Sequence, residues 1–157
     1  MNEKIININC REYESAQELP QEYKELLEMA VKATASSYAP YSGFHVGAAV
    51  KMSGGKTVTG SNQENAAYPS GLCAERVALF HAHHTYPNEA VKAIAVIAKD
   101  INENLTQDFT FPCAACIQVM VESEKRGNAQ LAIVIGSATK VLVVDSVQNL
   151  LPFSFGK

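Results

Sequence analysis

The sequence predicts an α/β protein, a three-layer α/β/α sandwich around a mixed five-stranded sheet, and three observations carry that expectation. Three segments place apolar residues at helical spacing. Short apolar runs of strand length lie between and after them. One of these runs, Val91 to Ala98, is apolar at nearly every position, as a strand covered on both faces must be.

Taken in order, Tyr23, Leu26, Leu27, Ala30, Val31 and Thr34 recur at three- and four-residue intervals between Glu22, Lys24, Glu25 and Glu28. This predicts an amphipathic helix from Pro20 to Ser37, stopped by Pro40. Two strands, Phe44 to Met52 and Lys56 to Ser61, flank Ser53-Gly54-Gly55, a hairpin turn. A loop of Asn62 to Leu72 precedes a helix that opens at Cys73 and ends before Pro87. The doubly apolar strand Val91 to Ala98 follows. After an unpatterned connection, Asp100 to Phe111, a second Pro-started helix is expected over Pro112 to Lys125. Leu131 to Ile135 and Lys140 to Asp145 complete the five strands.

The chain of 157 residues is expected to form one domain, 1–157, with an extension over 1–18 in which Lys4 to Ile8 is a candidate edge strand. With 47% hydrophobic and 18% charged residues, and no run of roughly 18 apolar residues, a membrane role has no support. The N-terminus lacks the layout of a signal peptide, so a cytoplasmic location is expected. A net charge of -3 without a Lys/Arg-rich run gives no footprint for nucleic acid, and a small, weakly charged ligand is easier to accommodate.

Without an export signal, Cys10, Cys73, Cys113 and Cys116 are expected to stay reduced, which favours metal binding or catalysis. Cys10 is given no role. Cys73 and the Cys113/Cys116 pair each open an expected helix, where free N–H groups and the helix dipole stabilise thiolate. Cys113 and Cys116, three apart in a first turn, can meet one tetrahedral ion. Taken alone, Cys-x-x-Cys also serves redox motifs and structural zinc. Three ligands with an open fourth position characterise a catalytic zinc, which lowers the pKa of a water toward about 7. Arg76 could donate hydrogen bonds to the cysteine sulfurs and offset their charge. His81 stands eight residues beyond Cys73, about 12 Å along a helix at 1.5 Å per residue. His81, His83 and His84 therefore cannot share that ion, and they read as a solvated helix end.

Cys73-Ala74-Glu75 followed by Pro112-Cys113-Ala114-Ala115-Cys116 fits the zinc deaminase pattern, in which the glutamate is not a ligand. Further pieces extend the match: Tyr38-Ala39-Pro40-Tyr41-Ser42 through Phe44, Val46-Gly47-Ala48-Ala49, Asn62-x-Glu64-Asn65-Ala66-x-Tyr68, Arg76 and Gln118. Together they resemble the homotetrameric zinc-dependent cytidine deaminase family. The resemblance implies one Zn²⁺ per subunit held by Cys73, Cys113 and Cys116, with Glu75 as acid and base. It also implies a nucleoside contacted by Phe44, Asn62, Glu64 and Ala74. Phe44 would stack on the pyrimidine, and Asn62 and Glu64 would hold the ribose hydroxyls. The alternatives are core packing for Phe44 and a solvated loop for the other two.

Leu150-Leu151-Pro152-x-x-Phe155 is similar to the family's tail, which implies a Phe155 that reaches a neighbouring subunit's site. Ala114 and Ile117 stand where the family commonly has Gly and Arg. Two other readings are carried forward: a deaminase of another cytosine nucleoside such as blasticidin S, and a non-catalytic zinc-stabilised binding module.

Overall fold

Val91–Lys99 (β4) is the strand with both faces covered, and it organises the sheet of this computed structural model. The structure describes residues 1–156; Lys157, the last residue of the expected 1–157 domain, lies outside the described residues. Ile94, Val96 and Ala98 of β4 face one apolar cluster, and Ala93, Ala95 and Ile97 face another, which is the two-residue alternation of a strand.

The other elements are β1 (Cys10–Tyr13), α1 (Gln21–Ala33), β2 (His45–Met52), β3 (Thr57–Ser61), α2 (Ala74–Thr85), α3 (Ala114–Gly127), β5 (Ala132–Gly136) and β6 (Val141–Val144). The strand order is β1-β6-β5-β4-β2-β3. Only the β4/β5 pair among these neighbours is parallel, and α3 provides the crossover that a parallel pair needs. Leu26, Leu27 and Ala30 of α1 pack on one face of the sheet; Ala78, Leu79 and Ala82 of α2 and Met120 and Val121 of α3 pack on the other. The three-layer mixed architecture is as the sequence predicts.

The expected five strands are in fact six. The additional one is β1, antiparallel to β6 with Cys10 opposite Val144 and Tyr13 opposite Val141. The expected edge strand at Lys4 to Ile8 is not formed. β6 ends at Val144, so its ladder runs out at Cys10, and Ile5, Ile6 and Ile8 remain exposed. Cross-strand ion pairs hold the true edge strand, Arg11 with Asp145 and Glu12 with Lys140 at 2.7 Å.

Two glycines set the spacing between layers. A Cβ at Gly47 would lie 2.0 Å from the Ala30 carbonyl oxygen of α1. At Gly60 of β3 it would lie 2.5 Å from the Ala78 nitrogen. The second contact brings the first turns of α2 directly onto the sheet, which fixes where Cys73 emerges. Among the described residues no helix is long and apolar enough to cross a membrane.

Candidate active site

Cys73 and Cys113 are the residues immediately before α2 and α3, both in extended conformation, and Cys116 is buried in the first turn of α3. Backbone N–H groups at a helix start have no partner within the helix and carry partial positive charge, so two such starts converge on the same sulfur cluster. The Sγ atoms of Cys73 and Cys113 are 3.9 Å apart, and those of Cys113 and Cys116 are 3.5 Å apart. All three sulfurs lie within 4.8 Å of one another. Tetrahedral Zn–S bonds of about 2.3 Å place neighbouring sulfurs about 3.8 Å apart, so the cluster has the spacing for one zinc ion.

The neighbouring Cys116 thiol first, and Arg76 with it, hold Cys73 far below the ordinary thiol range, at about 5. The same interaction with Cys73, together with burial, pushes Cys116 up. The Nη2 of Arg76 lies 3.7 Å from the Cys73 sulfur, and its Nε is buried without a partner among the described residues.

Glu75 follows one residue after Ala74 in α2 and is 4% exposed. Its carboxyl is pushed above the ordinary range, chiefly by burial; its own backbone N–H works against this and the negative charge of Cys73 adds to it. A carboxyl of this kind takes and returns a proton more readily near neutral pH than an exposed one.

All of these groups except the fully buried Cys116 border a cavity of about 600 Å³. Phe44, Asn62, Glu64, Glu75, Arg76, Cys73 and Cys113 all line it. Phe44 stands just before β2 and is exposed. The side-chain amide of Asn62 donates to the Phe44 carbonyl and accepts from the Val46 N–H, each at 2.8 Å. It thereby holds the start of β2 and keeps one donor and one acceptor position free. Glu64 accepts from the Tyr41 N–H at 2.9 Å, from the Ser42 N–H at 3.3 Å and from the Ser42 hydroxyl. Ser42 first and Tyr41 next hold its carboxyl below the usual range.

Ala74 and Phe155 are placed elsewhere. The Ala74 side chain is fully buried in the core, which leaves its backbone N–H as the group it can offer a ligand. Phe155 is 88% exposed and outside the cavity of its own chain. Its backbone exchanges two hydrogen bonds with the Gln118 amide, both 3.1 Å, and the Lys125 ammonium donates to the Gly156 carbonyl at 3.0 Å. The three histidines also lie apart from the sulfurs. His83 and His84 border a separate cleft of about 560 Å³ between α2 and α3, and the sulfur cluster found among the described residues is not part of its lining. His83 is half-buried, so the expected solvated helix end is corrected at that residue.

Sequence reasoning missed Thr110 and Phe111, both on the cavity wall and both in the connection that showed no pattern. The only signal was the position of a large aromatic directly before Pro112.

Residues 20–129 match the family described as the cytidine and deoxycytidylate deaminase zinc-binding region. A cytidine deaminase of Halalkalibacterium halodurans is 38% identical over 130 residues, covering 83% of this chain and 91% of the relative. Another from Sporosarcina psychrophila is 34% identical over 134 residues, covering 85% and 91%. Among solved structures, the cytidine deaminase of Burkholderia pseudomallei superposes with a TM-score of 0.70 at 39% identity, over 87% of this chain and all of that one. With a matched family region that contains all three cysteines and Glu75, and relatives covering most of its length, the chain belongs to the cytidine and deoxycytidylate deaminase zinc-binding family.

Proposed function

We propose that this protein hydrolyses cytidine and deoxycytidine to uridine and deoxyuridine with release of ammonia, a reaction of pyrimidine salvage. The observation that carries this reading is a buried carboxyl, Glu75, beside three sulfurs at zinc spacing, where Glu75, Cys73 and Cys113 line a cavity that also has an aromatic wall. Zinc held by Cys73, Cys113 and Cys116 supplies, when bound, the Lewis acidity that brings the pKa of a water toward neutral. Arg76 offsets the charge of the thiolates from the Cys73 side.

Glu75 does the proton work. It takes a proton from the attacking water and delivers it to ring N3, which makes C4 more electrophilic. Oxygen adds to C4. Glu75 then carries the second proton of that water to the exocyclic nitrogen, the C4–N4 bond breaks, ammonia leaves, and C4 retains the oxygen as a carbonyl. Phe44 offers a ring face to the pyrimidine. The free half of the Asn62 amide donates to and accepts from the sugar hydroxyls, and the remaining lone pairs of Glu64 accept from them.

The assembly belongs to this reading as well. Phe155 is presented outward on a backbone clamped to α3, in the manner of a side chain destined for another subunit, and a homotetramer is the assembly proposed. The binding-module reading leaves the buried Glu75 without a task, and the relatives are cytidine deaminases rather than deaminases of antibiotic nucleosides.

Ultraviolet-monitored deamination of cytidine and deoxycytidine, with zinc content and solution mass measured on the same sample, tests all of this. Turnover of both nucleosides with about one zinc per chain and a mass of four chains is expected. Full zinc occupancy without turnover of either nucleoside overturns the substrate, and an active monomer overturns the role of Phe155.

A further inference from the structure

The connection between β4 and α3 is tied down at several points. The Thr106 N–H donates to the Ala98 carbonyl at 3.1 Å, and the Ala138 N–H donates to the Thr106 carbonyl at 2.8 Å. The Thr106 hydroxyl donates to the Asp108 carbonyl at 3.0 Å. Phe109 packs against the core, and the ring of Phe111 meets it edge to face, with centroids 6.0 Å apart and planes at 67°. On its other side Phe111 is followed by Pro112, which is buried and has a fixed φ. Phe111 is nevertheless 57% exposed, and it lines the same cavity as Phe44, Glu75 and Cys113. A large aromatic held at both ends but open toward a cavity keeps apolar surface available for whatever enters.

We propose that Phe111 is a specificity-determining residue: it closes the cavity beside the reacting carbon and limits what a cytosine ring can carry next to C4, at C5 or on the exocyclic nitrogen. The proposal rests on the deamination reading above. Phe111 and Cys113 are two residues apart, so their Cα atoms are at most about 7.6 Å apart, given 3.80 Å per peptide step. The backbone of Phe111 therefore stands at the cysteine end of the cavity that its ring lines. Glu75 adjoins Cys73, and Phe111 adjoins Cys113, so the two approach the sulfur cluster from different segments of the chain. With C4 at the cluster and N3 turned to Glu75, the substituents on the remaining side of C4 meet the ring of Phe111.

The test compares kcat/KM for cytidine, 5-methylcytidine and N4-methylcytidine in the wild type, Phe111→Ala and Phe111→Leu, with zinc content measured for each. One extra methyl against an apolar wall discriminates by about tenfold or more. Phe111→Ala is expected to raise at least one methylated-to-unmethylated ratio by about that factor, with Phe111→Leu in between and zinc unchanged. If Phe111→Ala loses zinc or fails to fold, Phe111→Leu reads the same ratios. Both ratios within twofold of wild type, or an equal loss on all three substrates, overturns the proposal while leaving deamination intact. A wild-type protein that turns over none of the three overturns both readings.

Discussion

At one end of the cavity the functional groups hang on helix starts, with Glu75 and Cys116 buried, Cys73 half-buried and Cys113 exposed; at the other, Asn62 and Glu64 follow a strand, are half-buried and are already in use. Cys73, Cys113, Cys116 and Glu75 take their positions from α2 and α3, with Gly60 allowing α2 to rest on β3. Asn62 and Glu64 take theirs from the exit of β3, and each spends hydrogen bonds on backbone: Asn62 on residues 44 and 46, Glu64 on residues 41 and 42. The contrast separates two tasks. At the helix end the burial of Glu75 suits the proton movement proposed for it, because low polarity strengthens its interactions. The strand end shapes its own loop, and only the capacity left over is available for the sugar contacts proposed above.

The largest effect is therefore expected from the helix end, at the buried Glu75. Glu75→Gln keeps the shape of the side chain and removes its proton transfer, so kcat should fall by about 10²- to 10⁴-fold. Zinc content should remain as in the wild type, because Glu75 is not one of the three clustered ligands. Single-turnover kinetics together with metal analysis check both statements. Near wild-type turnover would remove Glu75 from the chemistry and with it the distinction between the two ends.

A smaller effect of a different kind is expected from Glu64→Gln. The substitution replaces a charged acceptor of the Tyr41 and Ser42 donors by a neutral amide and weakens the contact assigned to the sugar. KM should rise about tenfold, the scale of one charge-assisted hydrogen bond, while kcat changes little. A fall in kcat with KM unchanged would mean that Glu64 acts in the transition state, and the division of tasks would fail.

The same contrast explains what the sequence disclosed. The helix end was legible because its determinants are local: a cysteine before a helical run, Glu75 two residues later, and a Cys-x-x-Cys whose two side chains share one side of a first turn. Doubly apolar β4 was legible for the same reason. The backbone clamps of Asn62 and Glu64 join residues up to 23 positions apart and leave no local trace. β1 was misplaced because the Ile-rich Lys4 to Ile8 has the better strand composition, whereas pairing is decided by where β6 ends and by the Arg11 and Glu12 ion pairs. Phe111 was missed because its exposure into a cavity depends on Phe109 being anchored in the core.

The smallest expected effect comes from outside the cavity, at His83, and it separates stability from function. Its Nε2 lies 2.9 Å from the Ser123 hydroxyl, which itself donates to the Val119 carbonyl at 3.0 Å. The hydroxyl proton is thus committed, so Nε2 carries the hydrogen and Nδ1 is bare, buried and without a partner among the described residues. Protonating Nδ1 would create a buried donor with no acceptor, near the charge of Arg126. Burial first and Arg126 second accordingly hold His83 below its ordinary value of 6.5. Below that value the unfolded chain binds more protons than the folded one, so stability is full above about pH 6.5 and declines as pH falls from there through the lowered folded value. His83→Gln keeps a side chain able to donate to Ser123 and removes this titration. The melting temperatures of the two proteins, followed from pH 8 to pH 5, should differ by a constant above about pH 6.5 and shift by at most a few degrees in favour of the variant below it. Proton uptake by the cysteines is common to both proteins and cancels in the difference. Parallel curves across the whole range would show that His83 titrates alike in the folded and unfolded chain.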